Sequence, residues 1–161
     1  VSGGLRFLPV ESRRGFEFCD EVFGIGADAF AGLGLYQRGK STLWVACTDL
    51  MLDGLRPVDG VGIPFLRIDR AAWKLTAVAA VQFGGLATRN VVEVDAVETA
   101  RLMRREPVEF PPGDPRRDLP WKAHVIVRHR GVPIGIALWR GEGLDSSVPK
   151  GRTVEAIDLP A

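Results

Sequence analysis

Between Thr76 and Phe83 the chain reads Thr-Ala-Val-Ala-Ala-Val-Gln-Phe, and this run constrains the fold more than any other segment. Alanine-rich sequence favours helix, and Thr76 is a suitable N-cap whose hydroxyl can accept from the first free backbone N–H groups. The helix would carry almost no polar face, so it is expected to be largely buried. The rest of the chain can supply that cover. With 161 residues, 46% hydrophobic and 25% charged, it has enough material for one globular domain or two small ones sharing an interface, and disorder is excluded.

Around this helix the hydrophobic periods alternate between helix and strand. Phe16, Cys19 and Phe23 recur at helical spacing over about 12–23, and Gly24 provides a C-terminal stop. Residues 33–47 read as two strands joined by a turn at Arg38-Gly39-Lys40, with Leu43, Trp44 and Val45 rich in strand formers. A loop is expected over 53–62, then a strand over 63–68. Asn90 to Val94 predicts a further strand, and Asp95 followed by Glu98 forms a capping box for a third helix ending near Arg105. The proline-rich stretch 111–120 predicts an exposed loop without regular structure. Two apolar runs, 123–127 and 134–138, predict a strand pair, and a last strand is expected over 153–159. No fixed-period repeat is present, and short strands mixed with three scattered helices predict an α+β fold.

Motifs for catalysis are weak. Gly34-Leu-Tyr-Gln-Arg-Gly39-Lys40-Ser41 satisfies the phosphate-loop pattern, which would make Lys40 a phosphate ligand. That mechanism needs a helix after the loop, and the following Thr42-Leu43-Trp44-Val45 favours a strand, so a hairpin turn is the better expectation. Gly24-Ile25-Gly26 approximates a methyl-donor turn but follows a predicted helix, which makes it a helix terminus. Cys47 is a formal candidate for a nucleophile attacking a pyrimidine, yet no His lies near it in sequence, and a buried inert thiol is expected. Cys19 and Cys47 are too few and too far apart for a disulfide framework or a paired-cysteine zinc site. His124 and His129 lack a local carboxylate and make a poor metal site. No cofactor is expected. Neither a signal peptide nor a membrane span of about 20 apolar residues is read, so a cytoplasmic location is expected.

The cations carry more information. Lysine occurs only at Lys40, Lys74, Lys122 and Lys150, and every other basic residue except the two histidines is arginine. That bias suits recognition of phosphates and bases, and GC-rich coding would produce it too. Asn only at 90 and Gln only at 37 and 82 is a depletion that suits a thermophile. From Arg116 onward the chain is locally positive, and Arg67, Arg70, Lys74 and Arg89 form a second group around the apolar helix. The phosphate-contacting set is expected to be Arg128, Arg130, Arg140, Lys150 and Arg152, with Lys122 and His124 as weaker members. Arg67, Lys74 and Arg89 would continue the track. Trp139 beside Arg140 is placed either to stack on an unpaired base or, as is commoner, to close a core.

Several segments resemble a known family. Gly62-Ile-Pro-Phe-Leu-Arg67, Lys74-Leu-Thr76, Gln82-Phe-Gly84, Ala87-Thr-Arg-Asn-Val-Val-Glu93 and Val125-Ile-Val-Arg-His-Arg-Gly-Val-Pro-Ile-Gly135 are similar to the region that follows the catalytic domain in Nop/Sun-type RNA cytosine-5 methyltransferases. Pro149-Lys150-Gly151-Arg152 resembles that family's closing basic motif, and the domain order also resembles Nip-type ribosome-biogenesis factors. The resemblance implies an N-terminal mixed α/β domain over 1–87 packed against a PUA-like β-barrel over 88–161, and a non-catalytic RNA-binding role on ribosomal or transfer RNA, because it does not extend to the methylase domain. Implied partners are an RNA methyltransferase encoded separately, or pre-ribosomal proteins. A pure protein-binding assembly factor, and an enzyme using Lys40 or Cys47, are the alternatives.

Overall fold

The computed structural model of the protein describes residues 7–52, 59–69, 72–120 and 123–149. The fold is α+β, as expected, and is built on two five-stranded sheets. The first is an antiparallel meander of β1 (Leu8–Val10), β2 (Leu33–Gln37), β3 (Thr42–Cys47), β4 (Ile63–Ile68) and β5 (Trp73–Leu75), in that spatial order. Helix α1 (Arg13–Phe23) lies on its inner face, where Gly15 sits close above Leu35 and Leu66. The helix ends on Gly24 at φ +63°, in the left-handed region that glycine occupies without strain.

The phosphate-loop pattern falls on the β2–β3 hairpin. Leu35 pairs with Val45 and Gln37 with Leu43, Gly39 turns at φ +73°, and a strand follows where a nucleotide loop would need a helix. Lys40 therefore has no helix N-terminus beside it.

Helix α2 (Ala77–Phe83) starts where expected, with the Thr76 hydroxyl accepting from the Ala79 N–H at 3.1 Å. Ala79, Ala80 and Phe83 are buried, while Val81 and Gln82 are exposed, so the helix keeps one solvent edge that its apolar composition hides. A 3-10 turn (Gly84–Leu86) leads from it to the second sheet.

That sheet runs in the order β6 (Val91–Glu93), β8 (His124–His129), β9 (Val132–Trp139), β10 (Gly143–Ser146) and β7 (Val108–Glu109), with β6 parallel to β8 and the other pairs antiparallel. Helix α3 (Ala96–Met103) bears the complete reciprocal capping box of Asp95 and Glu98. Strand β8 sends Val125 and Val127 into one core and Ile126 into the other, which is why it reads as an unbroken apolar run. The first core clusters Phe16, Phe30, Phe65 and Phe83 in successive ring contacts and also takes Ile126 and Ile136, so α2 lies between the two sheets. The second gathers Val92, Leu102, Val108, Phe110, Trp139 and Leu144. Trp139 is a core residue at 1% exposure, stacked on Phe110.

Three expectations are corrected. The β8–β9 strands reach to His129 and back from Val132, leaving only Arg130 and Gly131 in the turn, both at positive φ, the two-residue geometry that matches strand twist. The stretch 111–120 includes a 3-10 turn at Pro115–Arg117, because Pro115 is preset for a first helical position and the Asp114 carboxylate accepts from the Arg116 N–H. Cys47 ends its strand exposed, whereas Cys19 is buried. The expected strand over 153–159 lies outside the described residues, and among the described residues no helix is long and apolar enough to cross a membrane.

Candidate functional site

Two of the expected phosphate ligands stand side by side on the outer face of the first sheet. Arg67 on β4 is the cross-strand partner of Lys74 on β5 and of Thr42 on β3, so the three side chains form a row across the strands. Trp44 lies on the same face two residues beyond Thr42. The row borders a cavity of about 550 Å³ whose opposite wall comes from the second sheet and its helix, through Arg105, Ile136 and the 146–149 segment. Arg67, Lys74 and Arg105 line it, and among the described residues no carboxylate does.

Burial, reinforced by neighbouring cations, shows in the ionisation of two groups. Burial, and secondarily the neighbouring Arg67, lowers the pKa of the half-buried Lys74 ammonium from its ordinary value. Burial, and secondarily Lys74, also lowers that of His124, which opens β8.

Arg105 was not among the residues singled out from the sequence. It follows the C-cap of α3 at φ +64°, a left-handed position that an L-residue other than glycine occupies at a cost of about 1–2 kcal/mol. One guanidinium nitrogen donates to the Val148 carbonyl at 2.6 Å, which fixes the side chain on the cavity wall. The Arg104-Arg105 doublet at the expected helix end is the one sequence signal that could have found it.

The remaining expected ligands are dispersed. Arg128 is half-buried and turned inward: Nε donates to the Gly84 carbonyl at 3.1 Å and Nη2 to the Ala87 carbonyl at 2.7 Å. Arg130 is exposed at the tip of the β8–β9 turn, at the opposite end of β8 from His124. Arg140 is exposed and paired with Asp145. Arg89 donates to the Asp20 carbonyl and lies 3.8 Å from its carboxylate, in a clamp where Thr88 and Arg89 N–H groups bond the Phe23 carbonyl and the Asn90 amide bonds that of Val22. This segment closes the C-terminus of α1 and joins it to β6. Lys122, Lys150 and Arg152 lie outside the described residues. His129 is used structurally, with Nδ1 at 2.8 Å from the Val94 carbonyl.

A larger cavity of about 680 Å³ lies between α1 and the β4–β5 end of the first sheet. Glu17, Glu21 and Asp69 line it against Arg14, which sits over the Trp73 ring, so its charge disfavours a phosphate. Among the described residues no cluster of three or more His, Cys, Asp or Glu is arranged to hold a metal.

No protein-family model matches the chain, and a comparison with curated proteins finds no match. Among solved structures the chain is similar to a hypothetical protein from the hyperthermophilic archaeon Pyrococcus horikoshii OT3, with a TM-score of 0.58 and 14% identity over 93% of this chain and 99% of that one. At that identity the likeness is one of fold.

Proposed function

We propose that the protein is a non-catalytic RNA-binding protein that engages ribosomal or transfer RNA, in RNA modification or ribosome biogenesis, through the basic cleft between its sheets. The observation that carries this reading is the convergence of Arg67, Lys74 and Arg105 on one cavity without an opposing carboxylate among the described residues. Three cations in one concave site, with no carboxylate among the described residues lining it, attract a polyanion, and each phosphate they meet releases condensed counterions. Arg130 is exposed on its turn at the far end of β8 and lies apart from the cleft. On this reading residues 88–161, which include the second sheet, are a PUA-like RNA-binding domain, as the family resemblance implies. An RNA methyltransferase acting on the same RNA, or pre-ribosomal proteins, would be its partners.

The test is binding of a transfer RNA transcript as a function of salt. Arg67→Ala, Lys74→Ala and Arg105→Ala should each weaken binding and flatten the logarithmic salt slope by roughly one unit or less. Salt-independent binding, or slopes that the three variants leave unmoved, would remove the cleft from any RNA interface.

A second reading, a protein-binding assembly factor, is favoured by one observation. Leu86 and Val132 are 57% and 63% exposed, on either side of the packing of Pro133 against Gly84. A complex that survives ribonuclease and high salt, and that Val132→Asp breaks, would establish it.

A further inference from the structure

We infer that the cleft takes an unpaired nucleotide of single-stranded RNA, with its base against Trp44 and its phosphates against Arg67, Lys74 and Arg105. This inference rests on the RNA-binding reading and names the part of the RNA that the site accepts. Three features of the cavity carry it.

The first is size. A volume of about 550 Å³ lies within the range of pockets that enclose a single small ligand, roughly 300–1,000 Å³, and a double helix cannot enter it. In a duplex, moreover, the base faces are stacked on one another and unavailable to a side chain, whereas unpaired bases can be splayed out onto aromatic rings.

The second is the aromatic wall. Trp44 is half-buried, lines the cavity, and is fixed from behind, since Phe7 meets it edge-on with ring centroids 5.4 Å apart and Gly60 comes so close that an added Cβ would lie 3.3 Å from its six-membered ring. A ring held in place before the ligand arrives loses little entropy on stacking. Two residues back along β3, Thr42 begins the row that carries Arg67 and Lys74, and Trp44 lines the same cavity as these cations, so base and backbone of one nucleotide meet complementary groups within it.

The third is Arg105. A residue whose backbone would be more comfortable as glycine instead places a guanidinium on the wall facing the sheet, and the Val148 carbonyl holds it there through one nitrogen while the rest of the fork has no acceptor among the described residues. Ser146 Oγ donates to the Leu102 carbonyl and accepts from the Val148 N–H, which fixes this wall, and the adjacent Ser147 brings a hydroxyl able to bond a ribose.

The experiment compares a fluorescein-labelled single-stranded RNA oligonucleotide with the same strand annealed to its complement, titrated with the full chain at fixed salt. Preference for the single strand is expected. Trp44→Leu should weaken single-strand binding by roughly 5- to 100-fold, the range for loss of one base–aromatic stack, with weak duplex binding unchanged. Trp44→Phe keeps a ring against Phe7 and should fall between the two. Arg105→Gly suits the left-handed backbone, so it folds, and it should also weaken the single strand. Equal affinity for both RNAs, indifferent to Trp44 but reduced by Lys74→Ala, would overturn the unpaired-nucleotide assignment while leaving RNA binding intact. Absence of salt-sensitive binding to either RNA would overturn both.

Discussion

Replacing Arg128 by alanine is expected to destabilise the protein while leaving its RNA affinity nearly unchanged, the reverse of what its place in a basic run suggests. The guanidinium spans two carbonyls, Gly84 at 3.1 Å and Ala87 at 2.7 Å, and so ties β8 to the turn that follows α2. A hydrogen bond from a charged donor contributes about 1.5–3 kcal/mol, and two acceptors lose it together. The side chain is half-buried, so water replaces part of the loss, and a net destabilisation of about 2–4 kcal/mol follows. With a urea dependence of about 2 kcal/mol per molar, the unfolding midpoint should fall by roughly 1–2 M at constant slope. Arg128→Lys should recover less than half of this, since one ammonium cannot reproduce a two-pronged fork. A midpoint that does not move, together with a flattened salt slope for RNA, would show that the guanidinium is free for phosphate and that the inward geometry is wrong.

Three further outcomes follow from the same contacts. Hydrogen bonds from Arg116 hold the Asp114 carboxyl down at about 2, so this pair contributes stability at pH values above about 4 and loses it as the pH falls through 2; an acid titration followed by circular dichroism should lose this component in Arg116→Ala. A thiol reagent should label one cysteine per native chain, the exposed Cys47, and both in urea, because burial pushes the Cys19 thiol up to about 12. In a proton NMR titration His124 should change charge below the ordinary imidazole midpoint of 6.5, and Lys74→Ala should shift it upward by removing a neighbouring positive charge; an unshifted midpoint would place Lys74 elsewhere.

Helices and hairpins were legible in the sequence because their signals are local. Thr76 and the Ala79 N–H are three residues apart, Asp95 and Glu98 likewise, and the turns at Gly39 and at Arg130-Gly131 are announced by the residues that form them. The competing phosphate-loop match at 34–41 was decided by strand propensity in the next four residues, again a local property. Strands β1, β5, β7 and β10 escaped notice because each is two to four residues long and exists only through its partners. The site was legible in part: Arg67, Lys74 and His124 were among the expected ligands, but nothing in their spacing ranks them above Arg128 or Arg140.

Charge type and short-range periodicity are written along the chain, so the sequence by itself determined an α+β fold, the caps, the hairpins and an arginine-rich repertoire. Which cations face one another is a matter of long-range pairing, and only the tertiary structure decided it. Pairing β6 in parallel with β8 and seating α2 between the sheets turns Arg128 inward, leaves Arg130 on a tip, and brings Arg105 across from Lys74. The physical reason is that a guanidinium's role follows from the acceptor within about 3 Å of it, and that acceptor is often a carbonyl forty residues away in the chain.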